Sequence, residues 1–189
     1  EEENNVFKLL FQAVPDSQYT PSPFLPGPPE QLLQTGQFNT DVDVLTGTNR
    51  DEGLLYFFDV LRNASALDVI REAWDTVGPL NLFDIANPEE ITVEDVEKSH
   101  QLLDYYVGGV ENIDMVHLQG LTDMFTDSSF LFGVFKTVNY LVEQGVGVHQ
   151  YMLTHRGEFS FTQLFGIPDT VSIVEDPWTD YDGYSVDPT

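Results

Sequence analysis

Cysteine is absent from these 189 residues, so no disulfide frames the segment and no thiol chemistry takes place in it. Basic residues are scarce: 7 Lys and Arg stand against 32 Asp and Glu, a formal net charge of −25. That charge repels polyanions and argues against nucleic acid or an anionic membrane surface as a partner, whereas a cationic partner, divalent ions or high salt would suit it. No apolar run approaches the roughly 20 residues that cross a bilayer, so no membrane span is expected. The chain opens on Glu1-Glu2-Glu3 instead of a basic and then apolar leader, and the expectation is a processed polypeptide or a segment of a longer one. His100, His117, His149 and His155 show no H-x-x-x-H spacing, and the acidic residues lack the rhythm of an EF-hand loop, so neither a metal nor a cofactor is expected.

What is present suffices for a core. Hydrophobic residues make up 41% of the chain and aromatics 13%, and its length suggests one domain. Pro15, Pro21, Pro23, Pro26, Pro28 and Pro29 forbid helix and make residues 1–40 a proline-rich wrapping segment, relieved by one helical turn at Pro29 to Leu33. Residues 41–48 alternate and are β-branched, which predicts a strand.

From Glu52 the period changes to 3.6, with Leu54, Leu55, Phe57, Phe58 and Leu61 on one helical face. Further helices are predicted from about Ala66 to Thr76, ending before Gly78-Pro79, and from Thr92, where Thr92-Val93-Glu94-Asp95 has the form of a capping box, to Gly108-Gly109. A helical stretch from Ile113 is expected to break near Thr126-Asp127-Ser128. Its second part would gather Leu131, Val134, Phe135, Val138, Leu141 and Val142 on one side before Gly145.

Val146 to Leu153 reads as a second strand, leaving through His155-Arg156-Gly157. Periodicity fades from Pro168, and no Lys, Arg or His follows Arg156, so residues 169–189 read as an acidic, irregular tail. Two strands do not make a stable open sheet. Either the protein is mainly helical, or its strands join a sheet whose other members lie in another segment or chain.

The residues with the most chemical content are Gly47-Thr48-Asn49-Arg50-Asp51-Glu52-Gly53, which end a strand on acidic residues and open a helix. The residues alone allow Glu52 two roles: a carboxylate stabilised by the positive end of a helix, worth about 0.3 to 1 kcal/mol, or the acid that orients a histidine in a hydrolytic triad. Arg50 and Asp51 suggest a local ion pair, and Asp127 a helix cap. Tyr56, Phe57, Phe58, Phe125, Phe130, Phe132 and Phe135 suggest core. Asn63-Ala64-Ser65 is a glycosylation sequon, which points to the secretory pathway if it is used.

Two strings together, Phe24-Leu25-Pro26-Gly27-Pro28-Pro29-Glu30-Gln31-Leu32-Leu33 through Asn39 and Val44-Leu45-Thr46-Gly47-Thr48-Asn49-Arg50-Asp51-Glu52-Gly53, resemble the carboxylesterase/cholinesterase family of α/β-hydrolases. Thr126-Asp127-Ser128-Ser129-Phe130 and Val148-His149-Gln150-Tyr151-Met152-Leu153-Thr154-His155-Arg156-Gly157 match later parts of the family in the same order. The resemblance implies that residues 1–168 form the C-terminal part of an α/β-hydrolase domain, a partial α/β fold completed by another segment or chain. It also implies Glu52 as the triad acid.

The family's chain order of Ser, acid, His puts the nucleophile before residue 1 and the base after the His-Arg-Gly turn. No G-x-S-x-G occurs here, and Val174-Glu175-Asp176-Pro177-Trp178 stands where the base would be expected. Two functions are therefore open. One is a carboxylic ester hydrolase working through an acyl-enzyme, with a small apolar ester as substrate and an inert isolated chain. The other is a catalytically silent relative used in ligand binding, adhesion or assembly. Under either reading a secreted, extracellular glycoprotein is expected, with Asn63 as the modified residue.

Overall fold

The computed structural model describes residues 14–57, 60–61, 63–83 and 85–155. The expectations for Phe58, for the Arg156-Gly157 turn and for the tail at 169–189 lie outside the described residues. Strand β1 (Val44–Asn49) pairs in parallel with β2 (Val148–Leu153), in a register running from Val44 opposite Val148 to Asn49 opposite Leu153. Parallel partners need a long crossover, and among the described residues it consists of helices, turns and loops. Both predicted strands therefore form, each a few residues shorter at its start.

Ahead of β1, Asp16 closes the proline-rich run into a loop. Its carboxylate accepts the backbone N–H of Leu25 at 2.8 Å and of Phe24 at 3.0 Å, bonds that hold the Asp16 carboxyl below its ordinary value. Helix α1 (Pro29–Gln34), with proline in its first turn, follows and docks on the late helix α6 (Phe132–Glu143). There Glu30 accepts from Lys136 Nζ and from the Tyr140 hydroxyl, both at 2.7 Å.

The predicted helix after β1 opens as a tighter 3₁₀ turn over Glu52–Phe57. Helices α2 (Ala66–Glu72) and α3 (Trp74–Leu82) follow. The predicted stop before Gly78-Pro79 is not where the chain breaks. The break falls at Ala73, and α3 runs through both residues. Glycine at 78 lets the Trp74 indole lie on the helix backbone, since a Cβ there would come within 2.7 Å of the ring. Pro79 is itself fully buried, and that packing offsets its missing N–H.

Helix α4 (Val93–Val107) has the expected capping box: Asp95 N–H donates to Thr92 Oγ1 at 3.2 Å and Thr92 N–H to Asp95 Oδ2 at 2.9 Å. It ends on Gly108 in the left-handed conformation, φ 83°. Helix α5 (Leu118–Thr126) starts later than predicted, because the Asp114 carboxylate accepts the N–H groups of Val116 and His117 and holds residues 114–117 in a turn. The predicted break after it is instead a π-helical turn, Asp127–Leu131, leading directly into α6. Thr126 and Ser128 donate their hydroxyls to the carbonyls four residues back, each at 2.8 Å, an interaction that bends and widens a helix without ending it.

The core lies among these helices: Phe57, Val60, Leu67, Trp74, Leu103, Ile113, Leu118, Leu121, Met124 and Phe125 are buried together. The sheet side differs. Leu45 is 71% exposed, and Tyr151, Met152 and Leu153 are each about half exposed. The face expected to unite Leu131, Val134, Phe135, Val138, Leu141 and Val142 buries only Leu141 fully, and Phe132 and Phe135 are exposed, not core. Among the described residues α1 and β2 meet α6 only in part, and Leu131, Val134 and Val138 stay half-buried, the first two beside an open cleft.

Candidate active site

β1 ends at Asn49, and the chain turns back on itself within three residues. Glu52 Oε1 accepts two hydrogen bonds from Asn49, one from its backbone N–H at 2.8 Å and one from Nδ2 at 2.9 Å. One carboxylate oxygen is thereby fixed. The other, Oε2, accepts no hydrogen bond from a described residue. The strands are parallel, so β2 ends at the same edge: Leu153 lies opposite Asn49, and its carbonyl accepts the Arg50 N–H at 3.0 Å. The carboxyl ends of parallel strands are where open α/β sheets bind ligands.

Gly53 anchors the turn. Its N–H donates to Thr126 Oγ1 at 2.9 Å, and the Thr126 hydroxyl donates onward to the Thr122 carbonyl. A side chain at residue 53 would drive a Cβ into the Thr122 carbonyl and within 2.6 Å of Thr126 N. The glycine thus sets how closely the Glu52 turn sits on α5.

Asp51 is committed elsewhere. Its Oδ2 accepts from Arg50 Nε at 3.0 Å, the local pair expected from sequence, and its Oδ1 accepts from Gln119 Nε2 at 3.1 Å. Gln119 also donates to Asp123 at 2.7 Å. Burial pushes the Asp123 carboxyl up, reinforced by repulsion from Asp51 and Asp127. Asp127 is the C-cap residue of α5, and its carboxylate accepts the Tyr106 hydroxyl at 2.5 Å. Burial, then that carboxylate, pushes the Tyr106 phenol far above its usual range. Of the two neighbouring acids, only Glu52 keeps an uncommitted oxygen.

No described histidine hydrogen-bonds to Glu52. His100 Nε2 meets Asp75 Oδ1 at 2.7 Å, and His117 Nδ1 meets Asp114 Oδ1 at 2.9 Å. His149 is exposed on β2 and His155 is exposed just beyond it. Among the described residues no three His, Cys, Asp or Glu side chains gather as metal ligands would. An open cleft of about 370 Å³ separates the sheet from α6, lined by Gly47, Leu131, Val134, Phe135, Tyr151 and Met152.

Sequence reasoning singled out Glu52 and missed its supports. Asn49 stood inside the quoted motif, but its role depends on the chain doubling back. Thr126 stood in a quoted segment 73 positions from Gly53, where no local pattern reveals their bond.

The carboxylesterase family model matches residues 1–180. No curated protein and no solved structure matches the chain. With a family match over nearly its whole length, a helical body on a small parallel sheet and the acid at the strand's carboxyl end, the chain belongs to the carboxylesterase family of α/β-hydrolases.

Proposed function

We propose that the chain is the C-terminal portion of a carboxylesterase-like serine hydrolase and supplies Glu52 as the acid of a triad. The serine and histidine come from polypeptide outside these residues, in the same chain or a companion. The observation that carries this reading is the half-committed carboxylate: Asn49 holds Oε1, while Oε2 is left to accept a histidine N–H at the end of the sheet. The exit of β2 at that same edge supports a base that follows β2 in sequence.

In this mechanism the serine oxygen attacks the ester carbonyl carbon as the histidine takes its proton. The tetrahedral intermediate collapses to an acyl-enzyme, the alcohol leaves with that proton, and water repeats the steps to release the acid. Glu52 holds the imidazole in the required tautomer and stabilises its protonated form. The exposed apolar surface of β1, β2 and α6 fits the covering strands and helices of the companion segment. A small apolar ester is the substrate class, and a secreted, extracellular location accords with the family and the sequon. Among the described residues no helix is long and apolar enough to cross a membrane.

A silent relative acting in adhesion, assembly or ligand carriage is the competing reading. It draws on Val174 to Trp178 standing where the base would be expected. A fluorophosphonate serine probe applied to the whole protein distinguishes them. Covalent labelling of one serine that blocks ester hydrolysis supports the hydrolase, and absence of labelling in folded protein sinks it.

A further inference from the structure

We propose that Asn63 carries an N-linked glycan. Asn63-Ala64-Ser65 is the one N-x-Ser/Thr string with a non-proline middle residue in the 189 residues, and all three residues are exposed in the turn that leads into α2. The fold uses only the oxygen of this amide. Asn63 Oδ1 accepts from Ser65 Oγ at 2.8 Å and from Ser65 N–H at 3.2 Å, an Asx turn. Nδ2 donates to none of the described residues.

Other asparagines are used in the opposite way. Asn49 Nδ2 donates to Glu52, Asn81 Nδ2 to the Val77 carbonyl, Asn87 Nδ2 to Glu90 and Asn112 Nδ2 to the Val107 carbonyl. A sugar on any of those nitrogens would displace a helix or turn contact. At Asn63 it would displace none, because a glycosylated amide keeps its carbonyl oxygen and the Asx turn survives.

The reaction forms a bond between Nδ2 and the anomeric carbon of an oligosaccharide carried on a lipid diphosphate. The carbon–oxygen bond to the diphosphate breaks, the diphosphate leaves with the electron pair, and one amide proton passes to a base of the transferase. The turn lies in the helical part of the chain, and Asn63 lines no part of the cleft beside the sheet. A glycan here is therefore compatible with a segment covering the exposed apolar faces, and the inference does not depend on Glu52 serving a triad.

The test is peptide mass spectrometry on the protein recovered from its native source, after release with a peptide N-glycosidase in heavy-oxygen water. Asn63 is expected to return as aspartate carrying one heavy oxygen. Asn63→Gln and Ser65→Ala, expressed through a eukaryotic secretory pathway, should lose the glycan and gain electrophoretic mobility, while Ser65→Thr keeps it. Recovery of Asn63 as unmodified asparagine in the native protein, or a glycan that persists in Ser65→Ala, overturns the proposal and leaves the hydrolase reading untouched.

Discussion

Leu103 and Ile113 are wholly buried, at 0% exposure, whereas Leu45 on β1 is 71% exposed and Phe135 on α6 is 62% exposed. The helical body gathers a buried core among the described residues, whereas the sheet side leaves apolar side chains of β1, β2 and α6 open. Helix α5 closes on α4 and on the Glu52 turn. Among the described residues β1 and β2 pair only with each other as strands, and Leu45, Tyr151, Met152 and Leu153 stay open beside a loose contact with α6. Unpaired edges of that kind are templates for another strand. Under the proposed function, this open side is where further strands of an α/β-hydrolase sheet would pair.

The comparison breaks most visibly at its strongest point. Leu103→Ala in α4 should destabilise the protein by about 3 kcal/mol through the cavity it leaves, read from urea denaturation by tryptophan fluorescence. Gly53→Ala should cost about 2 kcal/mol by overpacking against α5, and crystals of the variant should show the Glu52 turn displaced from Thr126. On the sheet side, Tyr151→Ser should change the stability of the isolated chain by less than about 0.5 kcal/mol. The same variant should reduce self-association in sedimentation, and an unchanged sedimentation profile would mean that the exposed face is not adhesive.

The smallest expected effect is electrostatic. Burial first, then Asp51 and Asp127, raise the Asp123 carboxyl in the folded state. The folded state therefore binds this proton more tightly than the unfolded chain. The contribution is fully present below the ordinary carboxylate value and is lost as pH rises through the raised one. Asp123→Asn keeps an acceptor for Gln119 and should flatten that part of the stability profile, measured as melting temperature against pH.

Local signals were legible in the sequence. The capping box at Thr92, the glycine stop at Gly108, the alternation of β1 and the Arg50–Asp51 pair all depend on neighbours a few residues away. The passage of α3 through Pro79 was not, because it rests on the tertiary burial of Trp74 and Pro79. The π turn at Asp127–Leu131 was hidden too, since Thr126 and Ser128 can either cap a helix or bond back into it. Phe132 and Phe135 carry a core pattern without the core beside them. At the site, the motif revealed Glu52 and its position at a strand end, whereas the hold of Asn49 on Glu52 and of Gln119 on Asp51 depends on the folded chain.

The most direct measurement is ester hydrolysis by the complete protein with Glu52→Gln beside Asp51→Asn, each checked for an unchanged melting temperature. Removing the charge of a triad acid while keeping its shape lowers kcat by roughly 10⁴-fold. A loss of that order in Glu52→Gln, with activity retained in Asp51→Asn, is the predicted result. Hydrolysis by Glu52→Gln at the parent rate would contradict the assignment of Glu52.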